Sequence, residues 1–130
     1  MSTKRIITTD KAPRAIGPYS VGVQVGEFLF TAGQVGIDPQ TGEIVGGGIE
    51  AETRQVLGNL RSILEAAGTG MDQVIKTTVF LRDMNDFTRM NTVYAEAFSQ
   101  DFPARTTIQA VALPKGAAVE IEAVALIRST

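Results

Sequence analysis

The sequence predicts an α+β fold of two layers, with two helices packed against one face of a sheet. Two segments carry apolar residues at helical spacing, and six shorter segments read as strands. Their order, β-β-β-α-β-α-β-β, groups strands at both ends instead of alternating them strictly with helices. With 130 residues and no internal repeat, linker or low-complexity stretch, one domain over residues 1–130 is expected, long enough to bury roughly two-thirds of its unfolded surface.

The first element is a short edge strand over Arg5 to Thr8. Pro13, Gly17 and Pro18 then break any regular pattern up to Ser20. Val21, Val23 and Val25 alternate with Gly22, Gln24 and Gly26, a strand pattern, and Gly26-Glu27 turns the chain into an apolar strand from Phe28 to Ala32. Asp38-Pro39-Gln40-Thr41-Gly42 is a turn, because Pro presets φ and Gly accepts a positive one. Gly46-Gly47-Gly48 closes that loop; no Lys-Ser or Lys-Thr follows, so a phosphate-binding loop is not indicated.

Ile49, Thr53, Val56, Leu57, Leu60, Ile63, Leu64 and Ala67 fall on one helical face, with Glu50 and Glu52 in the first turn and Gly68 as the stop. Val74 to Leu81 is a strand. Asn85 or Asp86 can cap a second helix whose apolar face is Phe87, Met90, Val93, Tyr94, Ala97 and Phe98. After Pro103, Thr106 to Leu113 and Val119 to Arg128 are two strands, expected to pair across Pro114-Lys115-Gly116. The last strand is apolar on one face throughout, and its other face turns from Glu120 and Glu122 to Val124 and Leu126. Two helices cover one face of a sheet, so the second apolar stretch predicts burial against another copy of the chain.

Composition narrows the chemistry. Apolar residues make up 44% and charged residues 20%, an ordinary globular balance. A net charge of −2 argues against broad nucleic-acid binding. With no His and no Cys, the commonest general base, the usual metal ligands and the thiol nucleophile are missing, so no metal and no cofactor are expected. No signal-peptide or membrane-spanning pattern is seen, and a cytoplasmic protein is expected. Chemistry must then come from Arg, Lys, carboxylates, hydroxyls, backbone amides and water. Arg105, in Phe102-Pro103-Ala104-Arg105-Thr106-Thr107, offers a planar fork that fits a carboxylate. Glu120, in Val119-Glu120-Ile121-Glu122-Ala123, offers a proton acceptor.

These segments, with Ala15-Ile16-Gly17-Pro18-Tyr19-Ser20, Thr31-Ala32-Gly33-Gln34 and the run from Lys76 to Leu81 followed by Asn85-Asp86-Phe87, resemble the Rid proteins. These are the reactive intermediate deaminases, also called the YjgF or endoribonuclease L-PSP family, and the RidA branch fits best. The resemblance implies a chorismate-mutase-like fold: a mixed six-stranded sheet with two helices on one face. It implies a homotrimer with a cleft at each subunit boundary, and hydrolysis of 2-imino acids and their enamine tautomers to 2-keto acids and ammonia. It assigns the substrate carboxylate to Arg105 and the attacking water to Glu120. It places Tyr19, the backbone of Gly33, and Asn91 around the substrate. Where RidA proteins commonly carry Cys this chain has Thr107, whose hydroxyl can still donate and accept, and where they carry Ser it has Ala32.

Each residue also has a plainer role open to it. Arg105 could be a surface ion-pair partner, Glu120 a solvated strand residue like Glu122, Tyr19 a filler at a subunit boundary, Thr107 a β-former and Asn91 a helix-surface residue. Lys76 could form a Schiff base, although a lysine on a strand is ordinarily solvated. Two other functions stay open: a module that binds 2-keto acids without turnover, and an RNA-directed nuclease, against which the acidic balance and absent His both count.

Overall fold

The computed structural model describes residues 3–127. Strand β1 (Arg5–Ile7) is followed by the hairpin of β2 (Gly22–Val25) and β3 (Phe28–Thr31). Strand β4 (Gln34–Val35), helix α1 (Gly48–Ala66), strand β5 (Val74–Leu81), helix α2 (Phe87–Glu96), strand β6 (Ala104–Gln109) and strand β7 (Val119–Leu126) complete the order. The sheet runs β1-β2-β3-β7-β5-β6, with β4 also paired to β7. Seven strands form where the sequence predicts six.

The extra strand comes from one inserted residue. Phe30 pairs with Val124 and Gln34 with Ile121, so Thr31, Ala32 and Gly33 lie opposite only Glu122 and Ala123. The expected third strand ends at Ala32, and beyond this bulge the chain pairs with β7 again as β4, which the sequence pattern does not mark. The Thr31 side chain fills the gap in the ladder, its hydroxyl oxygen accepting from the Ala123 N–H at 3.0 Å. Side chains alternate faces along a strand, so the insertion exchanges the faces of the residues after it. Gln34 pairs with buried Ile121 on the helix side, and Val35 pairs with Glu120 on the open side.

The last two strands do not form the expected hairpin. Strand β6 runs parallel to β5, joined to it by the α2 crossover, and β7 lies antiparallel on the other side of β5. A hairpin needs a tight turn, but residues 110–118 cross the end of the sheet, with a short 3-10 turn at Pro114–Gly116 on the way. Strand β7 is apolar enough to sit at the centre, between β5 on one side and β3 with β4 on the other.

Helix α1 buries Val56, Leu60, Ile63 and Leu64, and α2 buries Met90 and Tyr94, against the side of the sheet that carries Leu29, Val79 and Ile121. At about 1.5–3 kcal/mol for each large apolar side chain, this burial outweighs the ~1 kcal/mol of the N-terminal cap that α1 lacks. Helix α1 starts directly on the glycine run, which is thus a helix entry and no open loop. It ends as expected: Gly68 has φ +88°, its N–H donates to Glu65 O, and the Thr69 N–H donates to Leu64 O, a Schellman motif. The second helix is capped differently from expectation. Asp86 holds the N-cap position, one of the two expected, but its side chain accepts no backbone N–H there; Asp83 accepts from the Asn85 N–H at 2.9 Å and starts a 3-10 turn that leads into α2.

The other face of the sheet is open. Phe28 and Phe30 of β3 are 44% and 48% exposed, beside Val25 of β2, and the half-buried Val124 and Leu126 of β7 continue the strip. So much contiguous apolar surface is unusual for an uncovered sheet.

Candidate active site

Glu120 projects from β7 onto the open face, beside Val35 of β4 and Phe80 of β5. Helix α1 pins both flanks of this position from behind. Buried Asn59 donates to Val35 O at 3.2 Å and to Ile37 O at 3.0 Å, and Glu52 accepts from the Ala118 N–H at 2.8 Å. The bulge brings Gly33 directly against the Glu120 carboxyl. A Cβ placed on Gly33 would lie 2.5 Å from Oε2 and 2.8 Å from Cδ, so only glycine allows this approach.

The carboxyl opens into a cavity of about 340 Å³ lined by Tyr19, Gly33, Gln34, Val35, Lys115 and Glu120, among others. Half-burial raises the Glu120 pKa above the usual carboxylate value, and repulsion from Glu122 raises it further. Tyr19 lies in the loop before β2, its hydroxyl oxygen accepting from the Ile16 N–H at 3.3 Å. Lys115, at the mouth, holds a left-handed φ of +58° and donates to Gly42 O. In the sequence it marks only a turn, Pro114-Lys115-Gly116.

Arg105 lies elsewhere. It pairs with Thr77 of β5 in a parallel register, so its side chain leaves the sheet on the helix side. Its guanidinium carbon sits 4.8 Å from the Tyr94 ring centre and 5.5 Å from that of Phe87, both on α2. Among the described residues it forms no ion pair. The surface ion pair open to it on sequence grounds is therefore absent among those residues. Arg105 faces a second cleft, of about 300 Å³, lined by Asn91, Tyr94, Ala95, Phe102, Pro103 and Arg105. Asn91 Oδ1 at this cleft is buried without a hydrogen-bond partner, as is Thr107 Oγ1 on the same side of the sheet. Thr107 follows Arg105 by two residues and shares its face.

The structure therefore gathers the expected residues into two groups. Tyr19, Gly33 and Glu120 meet at one cavity, and Arg105, Asn91 and Thr107 lie on the opposite face. Two strand spacings and three residues along the sheet separate Glu120 from Arg105, about 14 Å at the backbone. Within one chain they do not share a site. Lys76, on the open face, donates to Thr106 Oγ1 at 3.2 Å. Among the described residues, no group of three His, Cys, Asp or Glu side chains is placed to hold a metal ion. No helix among them is long and apolar enough to cross a membrane.

The family model described as endoribonuclease L-PSP matches residues 9–127. A RutC family protein of Pyrococcus horikoshii is 56% identical over 122 residues, which is 94% of this chain and 97% of that protein. Human 2-iminobutanoate/2-iminopropanoate deaminase is 50% identical over 123 residues, covering 95% of this chain and 90% of that one. Among solved structures, the Rid-family protein YyfA of Yersinia pestis superposes with a TM-score of 0.93 at 45% identity, over 96% of this chain and all of that one. Escherichia coli TdcF with bound serine gives a TM-score of 0.89 at 43% identity, over 96% and 99%. A match over nearly the whole chain, in sequence and in fold, makes this protein a member of the endoribonuclease L-PSP family, the family of the Rid proteins.

Proposed function

We propose that the protein is an imine and enamine deaminase, hydrolysing 2-iminobutanoate, 2-iminopropanoate and their enamine tautomers to 2-keto acids and ammonia. Its sites lie between the copies of a homotrimer. The observation that carries this reading is a pair of unsatisfied groups: a guanidinium with no acid partner among the described residues, and a half-buried carboxyl held above its usual pKa beside a cavity. The relatives named as deaminases support it, as does the apolar open face, whose natural cover is a second copy. In this arrangement Arg105 of one copy faces Glu120 of the next.

Arg105 binds the substrate carboxylate with two parallel N–H bonds and so fixes C2 in the cleft. Glu120 holds a water over C2 and takes its proton as the oxygen attacks. The C=N electron pair moves to nitrogen, and Glu120 returns the proton there. The carbinolamine then collapses: Glu120 takes the hydroxyl proton and passes it to the amine nitrogen as C=O forms and the C–N bond breaks, so that ammonia leaves. Thr107, with its unpartnered buried hydroxyl, adds a polar contact on the Arg105 side. Positioning supplies much of the rate, and the reaction needs no cofactor. Its substrates are of the kind released by pyridoxal-phosphate dehydratases, which supports a cytoplasmic location. A nuclease reading finds no histidine to act as base.

The decisive experiment generates 2-iminobutanoate with threonine dehydratase and follows its decay. Catalytic amounts of this protein should accelerate the decay; an unchanged rate would leave a 2-keto-acid-binding module. Light scattering should give three chain masses. Co-expressing Arg105→Ala and Glu120→Gln chains tests the shared site, because random mixing should rebuild about one quarter of the boundaries with both native residues. No recovered activity would place each site within one chain.

Two further outcomes follow from the Glu120 surroundings. Gly33→Ala should push the carboxyl aside and lower kcat by about 10²-fold, the scale expected for an ångström-sized misplacement. The melting temperature should change little, since Gly33 has no positive φ. As a proton acceptor Glu120 must be ionised, so kcat/KM should fall as pH drops through its raised pKa, above the ordinary value of about 4.3. Glu122→Gln removes the repulsion and lowers that pKa, so the acid limb should move to lower pH. A limb that stays in place would show that another group titrates.

A further inference from the structure

We propose that Tyr94 and Phe87 form an aromatic cradle that presets the plane of the Arg105 guanidinium, which makes them positioning residues for recognition of the substrate carboxylate. The inference rests on the assignment of Arg105 to that carboxylate. The two rings stand seven residues apart on α2, two turns along one face, and both approach the same guanidinium carbon, at 4.8 Å and 5.5 Å. Both distances lie inside the ~6 Å over which a cation is held by a ring face.

The Tyr94 ring cannot turn freely. Its hydroxyl is hydrogen-bonded to Thr77 Oγ1 at 2.7 Å, and the Phe98 ring packs on it at 4.9 Å between centres. Thr77 is the β5 residue paired with Arg105 itself, so one strand position ties ring and arginine together. Burial keeps the phenol protonated, against the opposing pull of the Thr77 bond and the Arg105 charge. Tyr94 is 4% exposed and Phe87 37%, so one ring forms the floor and the other the rim.

A guanidinium resting on ring faces keeps its N–H edges free in its own plane. No acid among the described residues competes for those edges, and they face the cleft that holds Asn91 and Phe102. The same contact explains why a lysine could not serve. An ammonium has no plane to preset, and it would reach the cleft as a point charge.

The test measures the dissociation constant of 2-ketobutanoate by titration calorimetry, with kcat and KM for enzymatically generated 2-iminobutanoate, in single and paired variants. Tyr94→Leu should raise both Kd and KM about tenfold and lower kcat less than threefold, because the carboxylate is held in the ground state and in the transition state alike. Tyr94→Phe, which keeps the ring, should restore both constants to within about threefold. Phe87→Leu at the exposed rim should raise Kd about threefold without threatening the fold, and it serves if Tyr94→Leu does not fold. The loss caused by Arg105→Lys should shrink in the Tyr94→Leu background by the factor that Tyr94→Leu costs alone. If Arg105→Lys costs the same in both backgrounds, or Tyr94→Leu lowers the melting temperature with Kd unchanged, the rings are packing only. Should Arg105→Ala leave Kd unchanged, the clamp is misassigned and the cradle falls with it. A large effect of Arg105→Ala with none from either ring would overturn the cradle alone.

Discussion

Arg105→Ala is expected to lower kcat/KM for 2-iminobutanoate by roughly 10³-fold, equivalent to several kcal/mol of transition-state stabilisation, with the fold intact. The loss is large because a desolvated substrate carboxylate would be left without its charged partner. The fold should persist because Arg105 sits on the edge strand β6 and makes no ion pair among the described residues. The protein itself loses only the contact with Tyr94 and Phe87, so the melting temperature should fall by a few degrees at most. Arg105→Lys keeps the charge without the fork and should fall between. Steady-state kinetics with a parallel thermal melt separates the two effects. Native activity in Arg105→Ala would show that the carboxylate binds elsewhere.

Glu120→Gln should lower kcat by roughly 10²–10⁴-fold while 2-ketobutanoate binding stays near normal. Glutamine has nearly the same shape and can still touch a water, but it cannot take up the proton. The cavity should therefore keep its form, with Gly33 still against the side chain. Glu122→Gln is the internal control. It lies two residues along on the same face and is exposed, so near neutral pH it should be almost silent. If Gln at 120 retains most of the rate, Glu120 places water without moving protons. If Glu122→Gln is the damaging change, the acid has been assigned to the wrong residue of the pair.

The parts of this fold legible in the sequence are those with a repeating signal. The apolar faces of α1 and α2, the stop at Gly68, the β2–β3 hairpin and the two-faced last strand follow from periodicity and turn chemistry. What escaped depends on register. A one-residue bulge at Thr31–Gly33 leaves no mark in a hydrophobic pattern, so β4 was hidden. The choice between a β6–β7 hairpin and a parallel β5–β6 pair is made by the central place of β7, which no local window shows. The site was legible in the same uneven way. Arg105 and Glu120 stand out as chemistry once His and Cys are absent, but which face each occupies follows only from the pairing of β5 with both neighbours. Tyr94 and Phe87 passed for core residues. Their spacing on the helix just before the strand that carries Arg105 was the available signal.

The bulge also sets an acid strength by counting. With β3 continued in register from the Phe30–Val124 pair, residue 34 would face Glu120, and the carboxylate would have an amide donor, which favours its ionised form. The inserted residue puts Val35 there instead and moves Gln34 to the helix side. The same step joins Val35 to Ile37, Leu113 and Ala117 in a small apolar cluster beside Phe80. A hydrocarbon neighbour withholds the hydrogen bond that an amide would give, and the proton is held to higher pH. The count of residues between Phe30 and Val35, one more than the facing stretch of β7 holds, thus decides which side chain stands beside a carboxyl eighty-five positions further along the chain.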